Sequence, residues 1–520
     1  MAPTSFLSKN ALYSVQQIRA MEKAAAASLP PETLMRRAGA AAAVFARSLL
    51  HRLPASVLVL AGPGDNGGDA LETAHLLADD GYAVSVMLCA DIGNFSADAQ
   101  KCHQRALSSN VQFFGADYLG QARPEQWALA IDGLFGIGLS RPISGALHDV
   151  VQQLNRLSAL YRFPVLSLDV PSGLNADTGQ IVGQQGIAVS ATHTLTFIGN
   201  KPGLHTGSGR DYAGLVEVAD LAIDKQFRQA PKAQLSHQMM FAAMLAPRLH
   251  NSNKGSFGDV LIVGGAEGMA GAVLLSARAA AHCGAGRTFI GFVAEPPAYD
   301  SQNPELMFRR AGDADFSAAA VVIGPGLGQS PEAKQVLEKA LRQAKKLVVD
   351  ADALNLVAAD SGLQDLLVAR ADAAHSTILT PHPLEAARLL GSTSAEIQAD
   401  RLHAARTLAS RFKATVVLKG SGSVIADENG NVVINHTGNP ALATAGTGDI
   451  LAGICGSLLA RNANAAEVAA LAVCLHGLAA DKLVAHGIGP IGVTSAELIQ
   501  AVRNCLNEML ADSSGAADVY

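Results

Sequence analysis

The sequence predicts an α/β protein made of two consecutive doubly wound units. Three observations predict it. Short continuous apolar runs such as Ser56–Ala61 (SVLVLA) recur along the chain, as expected for parallel strands buried on both faces. Most of these runs end in a glycine-rich or polar loop, and Ala-rich helical stretches alternate with them. The alternation lapses in the polar stretch Asp224–His237 and then restarts, which places a linker there and two domains at 1–228 and 229–520.

Composition agrees with this class. With 520 residues, 49% hydrophobic and only 16% charged, the chain has apolar material for large cores. Aromatics are only 5%, which suits closely packed Ala- and Gly-rich helices on parallel sheets. A net charge of −6 argues against a nucleic-acid footprint. The six cysteines are scattered without a CxxC pair, so a reducing cytoplasm is expected and a metal cluster or disulfide framework is not. MAPTSFLSKN lacks a basic segment followed by an apolar one, so no signal peptide is expected. No uncharged apolar run has the length of a membrane span, so no membrane partner is expected.

In the first unit, Ser14 and Gln17 form a capping box for a helix running through Ala27. A second Ala-rich helix is predicted from Pro31 to Leu50. The strand Ser56–Ala61 runs into GPGDNGGDA (Gly62–Ala70) and a helix to Asp80, a strand–glycine loop–helix order that suits phosphate. The loop is neither GxGxxG nor a P-loop, and taken by itself it reads better as an ordinary tight turn. Strands follow at Ala83–Leu88, Val111–Phe114, Ala128–Ile131, Pro164–Leu168 and Thr192–Ile198, with a helix at Ser96–Leu107. Two of the strands end in aspartate, Asp132 and Asp169, each before a small-residue loop. With Asn66 and Ser172 they form an all-oxygen set at one sheet edge, suited to a hard cation or a ribose. Each aspartate alone reads better as a turn-starter, and two at equivalent strand ends weaken that reading.

In the second unit, strands are predicted at Asp259–Gly264, Arg287–Val293, Ala319–Ile323, Lys346–Val349, Thr377–Leu379 and Thr415–Leu418. GGAEGMAGA leads into a helix ending at Gly284. Thr393 and Glu396 form a capping box for a helix reaching Phe412. A hairpin is expected over Val424–His436, turning at Asn429-Gly430. His382 stands between two prolines, and Lys419 ends a strand before KGSGS. The sharpest stretch is TAGTGDILAG (Thr444–Gly453). Gly446 and Gly448 permit positive φ, and a helix from Ile450 to Ala460 aims free N–H groups at the loop. That is an anion site with phosphate as the expected occupant. Asp449 either caps the helix or works beside the phosphate, holding a cation or taking a proton.

NKGSFG, GGAEGMAGA, GPGLG, DADALN, TPHPLEAARLLG, LKGSGSVI and AGTGDILAGI together resemble the ribokinase-like superfamily, and within it ADP-dependent NAD(P)H-hydrate dehydratases. DNGGDA, DGLFGIGL, DVPSGLNADTG and FIGNKPGL resemble NAD(P)H-hydrate epimerases. The resemblance implies a Rossmann-like three-layer sandwich followed by a ribokinase-like α/β domain. It implies epimerisation of hydrated NAD(P)H (NADHX and NADPHX) and dehydration at the expense of ADP, in a homo-oligomer. Potassium (K+) is implied at Asn66, Asp132 and Ser172, with Asp132 as acid/base. Implied substrate contacts are Asn66, Gly67, Gly68, Asp69, Gly136, Ile137, Gly138, Leu139, Ser140, Arg141, Pro142 and Asp169. In the second unit they are Ala272, Gly326, His382 and Asp449, with Asp449 catalytic. Nucleotide contacts are implied at Lys419, Gly420, Ser421, Gly422, Ser423 and Gly448, with magnesium (Mg2+) accompanying ADP. One departure stands out: DNGGDA replaces the usual NNGGDG, so Asp65 adds charge and Ala70 adds a Cβ. Activity of the front domain is expected to survive it. A vitamin or sugar kinase, a binding module at the front, and a nucleotide-sensing regulator are the other readings.

Overall fold

The computed structural model describes residues 9–50, 55–120, 127–461 and 464–514. The signal-peptide expectation therefore falls mostly on residues outside the description. The chain divides into two compact units, Met1–Gln234 and Leu235–Tyr520.

In the first unit two helices, α1 (Val15–Ala26) and α2 (Thr33–Leu49), precede the sheet. The Ser14–Gln17 capping box is present. The sheet and its helices are β1 (Ser56–Ala61), α3 (Asp65–Asp79), β2 (Ala83–Leu88), α4 (Ala97–Leu107), β3 (Gln112–Phe114), β4 (Trp127–Gly133), α5 (Ala146–Tyr161), β5 (Val165–Leu168), β6 (His193–Phe197) and β7 (Leu215–Ala219). The strand order is β3-β2-β1-β4-β5-β6-β7, all parallel. Side chains of β1 alternate between two cores, as strand geometry requires. Val57, Val59 and Ala61 join one with Ala42 and Leu71 of α2 and α3, while Leu58 and Leu60 join another with Val150 and Leu154 of α5. The result is a three-layer sandwich. Neither α5 nor β7 was visible in the sequence pattern.

The expected loop over Asn66–Ala70 is instead the first turns of α3, which begins at Asp65. A Cβ on Gly67 would lie 1.9 Å from the Gly62 carbonyl oxygen. The glycine thus lets the helix start directly on the turn. Ala70 is fully buried, and its Cβ fills the space beside Gly133, where a further Cβ would lie only 2.3 Å away.

The second unit contains β8 (Asp259–Gly264), α6 (Ala270–His282), β9 (Arg287–Phe292), β10 (Met307–Arg310), β11 (Ala320–Ile323), α7 (Pro331–Gln343), β12 (Lys346–Val349), α8 (Ala351–Ala359), α9 (Ser361–Asp372), β13 (Ser376–Leu379), α10 (Pro383–Leu390), α11 (Ser394–Ala399), α12 (Arg401–Phe412), β14 (Thr415–Leu418), β15 (Val424–Ala426), β16 (Val432–Ile434), α13 (Thr447–Arg461), α14 (Ala465–Ala485) and α15 (Ser495–Ser514). Its strands run β16-β15-β14-β13-β12-β11-β8-β9-β10, parallel from β14 to β10. The hairpin β15–β16 is antiparallel, as expected. The Thr393–Glu396 capping box is present but opens only α11; Asp400, at φ −145, breaks the path and caps α12 separately. Helix α14 is long and apolar enough to cross a membrane by length and composition, although Glu467, Asp481 and Lys482 interrupt its apolar run. It is mostly buried, packed on α13, β13 and β14 as a core helix of this unit.

Candidate functional sites

In the first sheet the strand order reverses between β1 and β4, and the crevice of such a sheet opens at the strand C-termini there. A cavity of about 1030 Å³ lies at that edge. Asn66, Asp69, the loop Gly136–Arg141 and Asp169 line it, joined by Arg19 and Glu22 of α1. Gly67, Gly68, Pro142, Asp132 and Ser172 do not. Gly67 and Gly68 are buried where α3 packs, and Pro142 sits against Gly183.

Asp132 lies within β4 and is fully buried. Ser172 Oγ donates to its Oδ1 at 2.6 Å, and Ser172 N and Ser167 Oγ donate to Oδ2 at 2.9 and 2.8 Å. Burial pushes its pKa up, and the Ser172 and Ser167 hydrogen bonds hold it back. Both side-chain polar atoms of Asn66 are buried without a hydrogen-bond partner. An unpaired buried amide costs about 1–3 kcal/mol. A Cβ on Gly136 would lie 3.6 Å from the Asn66 side chain and 3.1 Å from Asp169 Oδ2, so these three converge. Asp69 is pushed well up by burial, then by the charges of Asp169 and Asp65. Asp65 lines the cavity in the first turn of α3, where the helix dipole favours its charge and Ser96 Oγ donates to it at 2.8 Å.

Sequence reasoning missed Lys201. Its Nζ is fully buried and donates to Asp169 Oδ1 at 2.6 Å, Thr196 Oγ1 at 2.7 Å and the Phe197 carbonyl at 2.9 Å. FIGNKPGL contains the residue, but the pattern gives no sign that a lysine there turns inward.

In the second unit, the ends of β12 and β14 and the starts of α10 and α13 bring Asp350, Lys419, Glu385 and Asp449 together. Lys419 Nζ donates to Asp350 Oδ1 at 2.8 Å and lies 3.8 Å from Glu385 Oε2. Thr380 Oγ1 donates to the same Asp350 oxygen at 2.7 Å. Burial works against the Lys419 charge, yet Asp350 and Glu385 outweigh it and raise its pKa. Burial, then Asp350, pushes the Asp449 carboxyl up to about 6 against the pull of Lys419. Burial likewise pushes Glu385 up to about 7. A Cβ on Gly448 would lie 3.6 Å from Lys419 Nζ, so the helix N-terminus and the ammonium face one spot.

Helix α13 begins at Thr447, three residues before expectation, because Thr447 Oγ1 donates to the Leu442 and Thr444 carbonyls and closes the turn. Gly446 takes the left-handed φ of 87°, whereas Gly448 is in the first helical turn and does not use positive φ. Gly420 at φ 143° and Gly422 at φ 61° shape the KGSGS loop over the buried Arg401, which donates to the Leu418 carbonyl at 3.1 Å. Gly326 adjoins Ala272: a Cβ on the glycine would lie 3.3 Å from the alanine's. His382 is a helix cap. Its Nδ1 accepts from Leu384 N and Glu385 N, and Nε2 lies 3.2 Å from Glu385 Oε1. Asp350, Glu385 and Arg401 were not singled out in advance, although DADALN and TPHPLE contain the first two.

Two family models match the chain: one described as NAD(P)H-hydrate dehydratase over residues 260–504, and one as YjeF-related protein N-terminus over 31–203. The bifunctional NAD(P)H-hydrate repair enzyme of Coxiella burnetii is 36% identical over 95% of this chain and 99% of its own length. The Escherichia coli enzyme of that name is 34% identical over 92% and 90%. Among solved structures, an ADP/ATP-dependent NAD(P)H-hydrate dehydratase from Bacillus subtilis, co-crystallized with ATP/Mg2+, is 28% identical. It matches 53% of this chain and 98% of its own, with a TM-score of 0.45.

Proposed function

Because the chain belongs to the bifunctional NAD(P)H-hydrate repair enzyme family, we propose that it returns hydrated NADH and NADPH to the reduced cofactors in two steps. The first unit interconverts the R and S forms of the hydrate, which differ at the hydroxyl-bearing ring carbon. The second dehydrates the S form, converting ADP to AMP and phosphate.

The observation that carries the second step is Asp449, a carboxyl pushed up to about 6 at a glycine-bounded helix N-terminus beside Lys419. Asp449 takes the proton of the ring hydroxyl as its oxygen bonds to the terminal phosphorus of ADP. The bridging P–O bond breaks and AMP leaves. The backbone N–H groups of Ala445–Gly448 and the Lys419 ammonium face the charge spread over the transferring phosphoryl group. The C–O bond to phosphate then breaks, driven by the ring nitrogen lone pair, and loss of a proton from the adjacent carbon leaves the double bond of NAD(P)H. Phosphate is a far better leaving group than hydroxide, which is why a nucleotide is consumed. The KGSGS loop, Gly448, Gly326 with Ala272, and His382 are assigned to nucleotide and substrate contacts.

In the first unit we assign hydroxyl binding to Asp169 on the cavity wall and proton handling to Asp132, which lies behind that wall and is linked to it through Ser172 and Phe135. The orphaned Asn66 amide is the observation that favours an ion; it would hold potassium together with Asp132 and Ser172, which are now hydrogen-bonded to each other. A potassium ion bound there supplies fixed positive charge beside the cavity. Magnesium is expected to enter with ADP, held mainly by the nucleotide phosphates and water, and so needs no ready-made cage of three or more acidic, His or Cys side chains, of which the described residues hold none. No residue is assigned to it.

The test is a repair assay on separated NADHX epimers with ADP, with ATP and with neither, reading NADH absorbance and free phosphate. The proposal expects NADH only with nucleotide, phosphate in equal amount, and consumption of both epimers faster than they interconvert spontaneously. A phosphorylated product that persists would overturn it in favour of a kinase.

A further inference from the structure

The ends of β5 and β6 carry an unusual pair of turns. Asp169 has φ 66° and Ile198 φ 69°, both in the left-handed region. For a β-branched residue such as isoleucine this is an outlier. Each centres a three-residue turn: Val170 N donates to the Leu168 carbonyl at 2.8 Å, and Gly199 N to the Phe197 carbonyl at 2.7 Å. Turns of this hand are rare and strained, and such strain persists only where surroundings over-determine it. Both turns reach the cavity wall through Asp169, Phe197 and Ile198.

One side chain touches both. Lys201 Nζ binds Asp169 Oδ1 in the first turn and the Phe197 carbonyl in the second, and is fixed from the side by Thr196 Oγ1. All three bonds fall within 2.6–2.9 Å, and the residue is fully buried. Asp169 Oδ2 is left to face Ile137 N at 3.3 Å and the Gly136 corner of the cavity loop.

We propose that Lys201 is a positioning residue of the first-unit site: it staples the two strained turns together and so fixes Asp169 where a substrate hydroxyl is bound. This rests on the epimerase reading of that unit. Lys201 does not touch substrate; its effect passes through Asp169.

The experiment is a double-variant cycle in the full-length chain with Lys201→Met, Asp169→Asn and the pair. Epimerisation is read as kcat/KM on the R hydrate, and dehydration of the S hydrate by the second unit serves as an internal control. Lys201→Met is expected to lower epimerisation about a hundredfold, the cost of a misplaced binding group, with S-hydrate dehydration unchanged. In the Asp169→Asn background it is expected to add less than about twofold, since residues acting as one unit are not additive. Equal losses in both backgrounds, or no loss, would overturn the proposal. A crystal structure of Lys201→Met gives a readout independent of activity. Asp169 or Ile198 leaving the left-handed region supports the staple, and both staying near 66° and 69° overturns it. If the unaltered chain fails to epimerise, the epimerase reading falls while this structural test still decides the role of Lys201.

Discussion

Asp449 ties one carboxyl to both rate and stability. As a base it must be ionised, and burial with Asp350 nearby has moved its titration to about 6. Dehydration is therefore expected to fall as pH drops through about 6 and to level off above it, measured as kcat/KM on S-NADHX, which reports the ionisation of the free enzyme. Asp449→Asn is expected to lower that rate by ~10²–10⁴, the range for loss of a positioned base. The stability effect has the opposite sense. A folded pKa raised above the unfolded one means the native state holds the proton more tightly, so the group opposes folding increasingly as pH rises from about 4 to about 6, and fully above that. Asp449→Asn is expected to raise Tm at pH 8 and to change it little at pH 4, where the native carboxyl is already protonated. The sequence pointed to Asp449 because a carboxylate in a glycine-rich turn is conspicuous beside phosphate. It was silent on Lys201, whose partner Asp169 lies 32 residues away and becomes a neighbour only through strand pairing. The substitution at Ala70 shows the reverse. In sequence it resembles a lost glycine at a ligand loop, but its Cβ is buried against Gly133. Ala70→Gly is thus expected to cost about 0.5–1 kcal/mol of first-unit stability in denaturant melts with no gain in epimerisation.

At the scale of elements, the strands were the legible part and the starts of helices were not. Strands β1, β8 and β12 coincide with the apolar runs that announced them, because the interior of a strand buried on both faces is apolar without alternation and a single polar residue, Ser56, Asp259 or Lys346, marks its start. Helices α3 and α13 both begin inside stretches read as loops. In α3, glycines at 67 and 68 serve packing and leave the backbone helical; in α13, the Thr447 hydroxyl closes the first turn early. Glycines in such motifs therefore divide into those that bend the chain, as Gly446 does at φ 87°, and those that admit a neighbour. Gly453 is of the second kind. A Cβ there would lie 2.1 Å from the Ser276 carbonyl oxygen of α6, so α13 and α6 approach on bare backbone. Gly453→Val is expected to push the helices apart, costing about 1–3 kcal/mol in denaturant melts. The same shift moves the N-terminus of α13, so nucleotide affinity measured by calorimetry is expected to weaken with it.

At the scale of the molecule, each unit has its own core and its own cluster of candidate catalytic side chains, so the two activities should separate cleanly by substitution. Asp132→Asn keeps the shape of the side chain but places an amide donor where Ser172 and Ser167 already donate. It is expected to slow epimerisation by ~10²–10⁴ and leave S-hydrate dehydration intact. Given a mixture of epimers and ADP, this variant should release NADH from the S fraction and then stall at the spontaneous rate. Asp449→Asn should release almost none, yet equalise the epimers from either pure form, as chromatography of the hydrates would show. Mixing the two purified variants should then restore complete repair, because the S hydrate made by one chain can diffuse to the other. Restoration near the rate of the unaltered chain would show that the hydrate exchanges freely through solvent. A mixture slower than the unaltered chain at equal site concentrations, with each step normal on its own, would mean that linking the units in one polypeptide speeds passage between them. If mixing restored nothing, the assignment of separate epimerase and dehydratase work to the two units would fail, since neither variant would then hold the step the other lacks.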